Sequence, residues 1–298
     1  MLNIHKVVCP VDFSPISKRA LDHAAVIARW YEAELVVLHV TPFMPTLFGF
    51  PAAVDTAGVA AADADAVIPE LTAFVAEAAT MVSATQTIVR SGSPAVEILH
   101  YAAEAEADLL VLGTHGRTGF ERFMVGSVTE KVLRKAPCPV LSVPPRCEGQ
   151  PERPVFGRIL CGADFSEASD HAAEYALSLA QEANGRLTLL HVVDWMPDKN
   201  FAKYPQFDPA AYRQVITREA RRQLEGLVPE EARNWCEPDL RISCGKPYRE
   251  ILRVAAEDQA DLIVLGVHGL GPIDRMLFGS TTEHVVRQAP CPVLTIRS

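Results

Sequence analysis

With 298 residues, 49% of them hydrophobic and 22% charged, the chain has the composition of a folded globular protein and a length suited to two domains of roughly 150 residues. A formal net charge of -9 argues against a sequence-independent grip on nucleic acid, whose phosphates attract basic surfaces. Lys6, Pro10 and Asp12 break the amino-terminal stretch before a signal peptide's apolar core could form, and no apolar run approaches the ~18 residues of a membrane helix, so a cytoplasmic protein with neither nucleic acid nor membrane as partner is expected.

Lys6 to Val11 is a short run rich in β-branched residues and reads as a buried strand. Ser14 as N-cap and Pro15 at the first helical position open a helix that carries apolar Ala20, Leu21, Ala24, Ala25 and Ala28. A second strand, Glu34 to Val40, leads into a long loop from about Thr41 to Val59 that contains Phe43, Phe48 and Phe50. A helix follows at about Ala60 to Ala84, then a strand at Thr85 to Val89 and a helix at Pro94 to Ala105. Leu109 to Leu112 and Val140 to Val143 are further strands, with a helix over Ser127 to Lys135 between them.

The same pattern then begins again. Asp12-Phe13-Ser14 returns as Asp164-Phe165-Ser166 and Leu38-His39-Val40 as Leu190-His191-Val192, both at an offset of 152. Gly92-Ser93-Pro94 returns as Gly245-Lys246-Pro247, Gly113-Thr114-His115-Gly116 as Gly266-Val267-His268-Gly269, and Pro137-Cys138-Pro139-Val140-Leu141 as Pro290-Cys291-Pro292-Val293-Leu294. The Pro-rich segment from Pro144 to Pro154 reads as a linker, giving domains 1–146 and 155–298. The long loop recurs too, from Asp194 to Pro209, with Trp195, Phe201, Tyr204 and Phe207. Such loops serve as lids or contact surfaces, or fold back on their own domain.

Strands alternating with helices specify a parallel sheet covered on both faces, so each half is expected to be a doubly wound, flavodoxin-like α/β domain of five strands. Ligands of such folds bind at the carboxyl ends of the strands where the strand order reverses. The best-repeated polar motifs follow strands 1 and 4, and should meet there.

After strand 4 each half reads G-x-x-G, nine residues, then Gly-Ser at the opening of a helix: Gly113, Gly116, Gly126 and Ser127, then Gly266, Gly269, Gly279 and Ser280. Glycines let a phosphate approach the backbone, and the first N–H groups of a helix attract an anion. Once, this pattern would read as turn glycines with a serine N-cap; recurring at identical spacing, it points to a phosphate-bearing ligand. His115 and His268 lie inside the loop and could contact phosphate or hold the loop, whereas His39 and His191 end apolar strands and read as packed. There is no P-loop G-x-x-x-x-G-K-[ST], no glycine-rich dinucleotide turn after strand 1 and no H-x-G-H. The seven cysteines, Cys9, Cys138, Cys147, Cys161, Cys236, Cys244 and Cys291, form no C-x-x-C pair and read as buried or idle thiols. No carboxylate pair or Ser/His/Asp arrangement supports a dedicated catalytic site, so the chain is not expected to be an enzyme.

The G-x-x-G-x9-G-[S/T] pattern, with Asp-Phe-Ser after strand 1, Leu-His-Val ending strand 2 and Pro-Cys-Pro-Val-Leu entering strand 5, resembles the ATP-binding subclass of the universal stress proteins, here in tandem. That resemblance implies an adenine nucleotide alpha hydrolase-like fold with strand order 3-2-1-4-5. It further implies ATP as ligand, with or without Mg2+, a stress-response regulator acting through a protein partner that the sequence does not identify, and pairing of Val140 to Val143 with Val293 to Ile296 as an intramolecular pseudo-dimer, with a homodimer as a further step. In the first half Asp12 and Val40, beside Pro10, would meet adenine; Leu112, Gly113 and Gly116 would lie along ribose and phosphates; Arg117, Gly126, Ser127, Val128 and Thr129 would hold phosphates. In the second half the same roles would fall to Gly162, Asp164 and Val192, to Leu265, Gly266 and Gly269, and to Gly279, Ser280, Thr281 and Thr282. Arg117 becomes Leu270 and Pro10 becomes Gly162, so the first site is expected to be the more typical. A slow ATPase and a nucleotide-free scaffold are the competing readings.

Overall fold

A computed structural model describes residues 3–42, 56–115, 125–145, 156–194, 208–234, 236–267 and 279–297. The chain divides into two compact units, 3–154 and one that begins at Val155. Among the described residues no helix is long and apolar enough to cross a membrane.

The first unit runs β1 (Lys6–Val11), α1 (Pro15–Trp30), β2 (Glu34–Pro42), α2 (Thr56–Ala79), β3 (Thr85–Gly92), α3 (Pro94–Glu104), β4 (Leu109–Gly113), α4 (Ser127–Lys135) and β5 (Val140–Val143). Its strands are all parallel and ordered β3-β2-β1-β4-β5. The second unit repeats this as β6 (Arg158–Ala163), α5 (Glu167–Ala183), β7 (Arg186–Val193), α6 (Pro209–Gly226), a 3-10 turn at Glu231–Asn234, β8 (Asp239–Cys244), α7 (Pro247–Glu257), β9 (Leu262–Val267), α8 (Ser280–Gln288) and β10 (Val293–Arg297). Its order is β8-β7-β6-β9-β10, again parallel.

Central strands are buried on both faces: Val7, Val8 and Cys9 of β1, Leu35 to Leu38 of β2 and Leu109 to Val111 of β4 are closed to solvent in the first unit, as are Ile159 to Cys161 and Leu262 to Val264 in the second. That burial explains why these strands read as unbroken apolar runs rather than alternating ones. Ser14 caps α1 as its sequence suggests, accepting from the Ser17 N–H at 3.1 Å, and Ser166 does the same for α5 through Ser169 at 3.2 Å.

The second helix departs from expectation. It ends at Ala79, not Ala84, and begins at Thr56. Nothing in its Ala-rich sequence signals a stop; the Thr80 and Met81 N–H groups turn back to Glu77 and Ala78, and the chain reaches β3 in time for Thr85 to pair with Leu35. The expected strands also extend further, β2 to Pro42 and β3 to Gly92, because the two run side by side to those residues.

Candidate functional site

Strand order reverses between β1 and β4, and the carboxyl ends of these strands open into a cavity of about 310 Å³. Pro10 and Asp12 reach it from β1, Val40 from β2, and Leu112 and Gly113 from β4. Gly126, Ser127, Val128 and Thr129, at the start of α4, close its far side. Gly116 and Arg117 lie outside the described residues, as do the aromatic residues of both long loops.

The turn after β1 is built identically in both halves. The Asp12 Oδ1 accepts from the Ser14 N–H at 3.1 Å and from its hydroxyl at 2.6 Å, and Asp164 holds Ser166 at the same two distances. Phe13 and Phe165 between them adopt a left-handed backbone, φ 63° in each. That conformation is uncommon for a bulky residue, and the rings compensate by packing: Phe13 lies 4.6 Å from the His39 ring and meets Phe74 of α2 edge-on, while Phe165 stacks on His191 at 4.4 Å. His39 is buried and its Nδ1 bonds the Val11 carbonyl at 2.8 Å, as His191 bonds Ala163. The expectation of packed histidines holds, yet His39 also lines the cavity.

Gly126 forms the N-cap of α4, and a glycine has no side chain to satisfy the helix's first donors; no side-chain cap is present. The Gly126 N–H itself is taken by the Thr114 carbonyl at 2.7 Å, which pins the end of the glycine loop to the end of β4. Thr129 is buried and its hydroxyl donates to the Gly113 carbonyl at 2.7 Å, fixing α4 against the same strand. The helix therefore presents the N–H groups of Ser127, Val128 and Thr129 and the exposed Ser127 side chain at the cavity, with the positive end of its dipole. His115 lines the cavity as well, with Nδ1 2.9 Å from the Thr114 hydroxyl.

The second half builds its counterpart, a cavity of about 250 Å³. Gly162 and Asp164, Val192, Leu265 and Gly266, and Gly279, Ser280, Thr281 and Thr282 all line it; Gly269 and His268 lie outside the described residues. Gly279 again leaves the helix, α8, without a side-chain cap, and the nearest atom to a Cβ placed on Gly279 would be the Thr282 Oγ1, 4.0 Å away, so the backbone there is open to approach. Where the first half has Pro10, the Leu265 Cδ2 stands 2.7 Å from the point a Gly162 Cβ would occupy, with Ile251 next to it.

Gly113 and Gly266 turn out to have a second reason to be glycine. A Cβ on Gly266 would lie 2.5 Å from the Ala168 carbonyl carbon and Ser169 nitrogen of α5, and one on Gly113 would lie 2.6 Å from the Ile16 Cγ2 of α1. These glycines let the first helix of each half pack against the end of the central strand.

Sequence reasoning missed one wall. Pro42, Pro94 and Ile98 line the first cavity and Pro247 and Ile251 the second, with Ser17 and Ser169 at the two floors. The signal was present in the repeated Gly-Ser-Pro and Gly-Lys-Pro, whose glycines, Gly92 and Gly245, have φ of 156° and 144° and turn the chain into α3 and α7. Those helices also begin without side-chain caps.

Among the described residues no cysteine lines either cavity. Cys9, Cys138, Cys161, Cys236 and Cys291 are buried, and burial pushes the Cys161 thiol up to about 12.

The model of the universal stress protein family matches the chain twice, over residues 3–144 and 156–297. A universal stress protein of Mycolicibacterium smegmatis is 29% identical over 304 aligned residues that cover 98% of this chain and 96% of the relative. A universal stress protein of Mycobacterium tuberculosis is 31% identical over 198 residues, covering 64% of this chain; that match spans 62% of the relative's length. Among solved structures, a universal stress protein from Archaeoglobus fulgidus superposes with a TM-score of 0.67 at 24% identity over 98% of each chain, a likeness of fold.

Proposed function

We infer that this chain, which belongs to the universal stress protein family, is an adenine-nucleotide-binding regulator of the stress response that takes ATP at the carboxyl edge of each sheet. The observation carrying this reading is the repeated juxtaposition of an uncapped helix N-terminus with a switch-point cavity of nucleotide scale, once at Gly126–Thr129 and once at Gly279–Thr282. Phosphates would sit on the N–H groups of these turns, and an adenine ring would lie between Val40, Ile98 and Leu112 near Asp12. Among the described residues no group of three or more His, Cys, Asp or Glu stands where it could hold a metal ion, so an accompanying Mg2+ would be held chiefly by the phosphate oxygens.

Binding is favoured over turnover because Asp12 and Thr129, two polar side chains of the site, are engaged in building it. Asp12 holds the turn through Ser14, and Thr129 ties α4 to Gly113. Arg117, where the second half has Leu270, makes the first half the tighter binder in this reading.

Calorimetric titration of nucleotide-stripped protein with ATP and Mg2+ tests the assignment, using Ser127→Asp and Ser280→Asp singly and together. A carboxylate in the first turn favours the helix by about 0.3–1 kcal/mol while repelling phosphate. Each single variant should lose one site with its melting temperature unchanged or raised, Ser127→Asp removing the tighter one. Wild type that binds no adenine nucleotide, or a double variant that binds ATP as wild type does, refutes the reading.

A further inference from the structure

At the opposite edge of the second sheet, where the parallel strands begin, lies a cavity of about 350 Å³ that the nucleotide reading does not use. Its floor is apolar, from Leu160 and Ala260. Its walls are charged.

One wall is cationic. Arg158 and Arg186 start adjacent strands and are register partners. The same positions in the first half are Lys6 and Glu34, also register partners, which form an ion pair at 3.6 Å. The second half has therefore replaced an ion-paired position with two like charges at the start of adjacent strands. Arg158 spends its Nη1 on Gln259 at 2.9 Å and its Nη2 on Asp261 at 3.3 Å. Arg186 lines the cavity as an exposed cation.

The other wall carries excess negative charge. The Arg241 Nε donates to Asp239 at 2.7 Å and its Nη1 to Asp258 at 2.9 Å, so two carboxylates share one guanidinium, and Glu237 adds a third. The Thr188 hydroxyl reaches Asp258 at 3.5 Å. By register, Thr188 and Arg241 stand where the first half has Val36 and Ile88, and Asp258, like Ala105, is the C-cap of its helix. Apolar positions in one copy have become a polar array in the other.

A cavity with one cationic wall, one anionic wall and an apolar floor matches a dipolar ion. We propose that this cleft binds a small zwitterion of the amino-acid type, its carboxylate on Arg186 beside Arg158 and its ammonium on the side of Glu237 and Asp239, with its side chain over Leu160 and Ala260. The proposal does not depend on nucleotide binding. The site lies on the same strands, however: β6 and β7 begin in this cleft and end at the second nucleotide cavity with Gly162 and Val192.

The test is titration of the full chain with a panel of free amino acids, alanine, leucine, glutamate and arginine, each alongside the amine lacking its α-carboxylate and the acid lacking its α-amino group, with inorganic phosphate as a simple anion. At least one amino acid should bind saturably and at least tenfold tighter than both of its truncated forms. Arg186→Glu should abolish that binding while keeping the fold, because it restores the Lys6–Glu34 arrangement with Arg158, and far-UV circular dichroism checks that it folds. Binding of phosphate or of the truncated acids or amines as tight as that of the amino acids would overturn the proposal. So would equal amino-acid binding by folded Arg186→Glu, or no binding by any member of the panel.

Discussion

The Thr129 hydroxyl donates to the carbonyl of Gly113 at 2.7 Å, joining the first turn of α4 to the last residue of β4. Replacing Thr129 with Val keeps the shape and removes the donor, leaving the part-buried Gly113 carbonyl without this partner; a loss of about 1 kcal/mol in unfolding free energy is expected. Thr129→Ser retains the hydroxyl and should recover most of it. Chemical denaturation of the two variants checks this, and equal stability of Val and Ser forms would show that the bond contributes nothing.

Gly266→Ala and Gly113→Ala differ in what they strike. The first drives a methyl into α5 backbone and should cost about 3 kcal/mol or more, whereas the second meets a side-chain methyl of Ile16 that can move, and should cost about 1–2 kcal/mol. Ile16→Leu removes that Cγ2 methyl, so the double variant Gly113→Ala with Ile16→Leu should be more stable than Gly113→Ala alone. Thermal unfolding distinguishes these outcomes; a Gly266→Ala variant as stable as wild type would contradict the packing described.

Burial lowers the His23 imidazole from 6.5 to about 4, with the positive charge of Arg19 adding to the effect. The unfolded chain therefore takes up a proton near pH 6.5 that the folded chain refuses until about pH 4. Stability from this group is complete above pH 6.5 and declines as the pH falls toward 4, by up to about 3 kcal/mol. His23→Gln should flatten that part of the stability profile. An unchanged slope in the variant would remove His23 as its source.

Native-state alkylation should spare Cys9 and Cys161, which are fully enclosed and whose thiolates are disfavoured by burial. At pH 8 their labelling, followed residue by residue by mass spectrometry, should proceed no faster than unfolding. Rapid labelling of either in folded protein would mean that the central strands open locally.

Much of this organisation could be read from the sequence, and the failures have physical causes. Ser14-Pro15 marked the start of α1, and the apolar runs marked β1 and β5, to the residue because capping and strand burial are local or near-local effects. Both candidate sites could be read because a repeat doubles every motif. The end of α2 could not, since it is set by strand pairing at Thr85 and not by any residue of the helix. Pro94 and Ile98 escaped notice because a helix's approach to a cavity is a matter of tertiary packing. The left-handed turn at Phe13 was equally hidden: glycine or asparagine would have announced it, whereas here a ring contact with His39 offsets the strain. The cleft at Arg186 could have been found by asking which register pairs change sign between the copies.

The hydrogen bond from the Gly126 N–H to the Thr114 carbonyl joins the start of α4 directly to the residue that follows β4. The two halves of this chain have already diverged in the insert between them, Arg117-Thr118-Gly119 against Leu270-Gly271-Pro272, while Gly126-Ser127 and Gly279-Ser280 stay in step. A chimera carrying the first half's insert in the second is the natural way to ask whether the nucleotide preference proposed above travels with the insert.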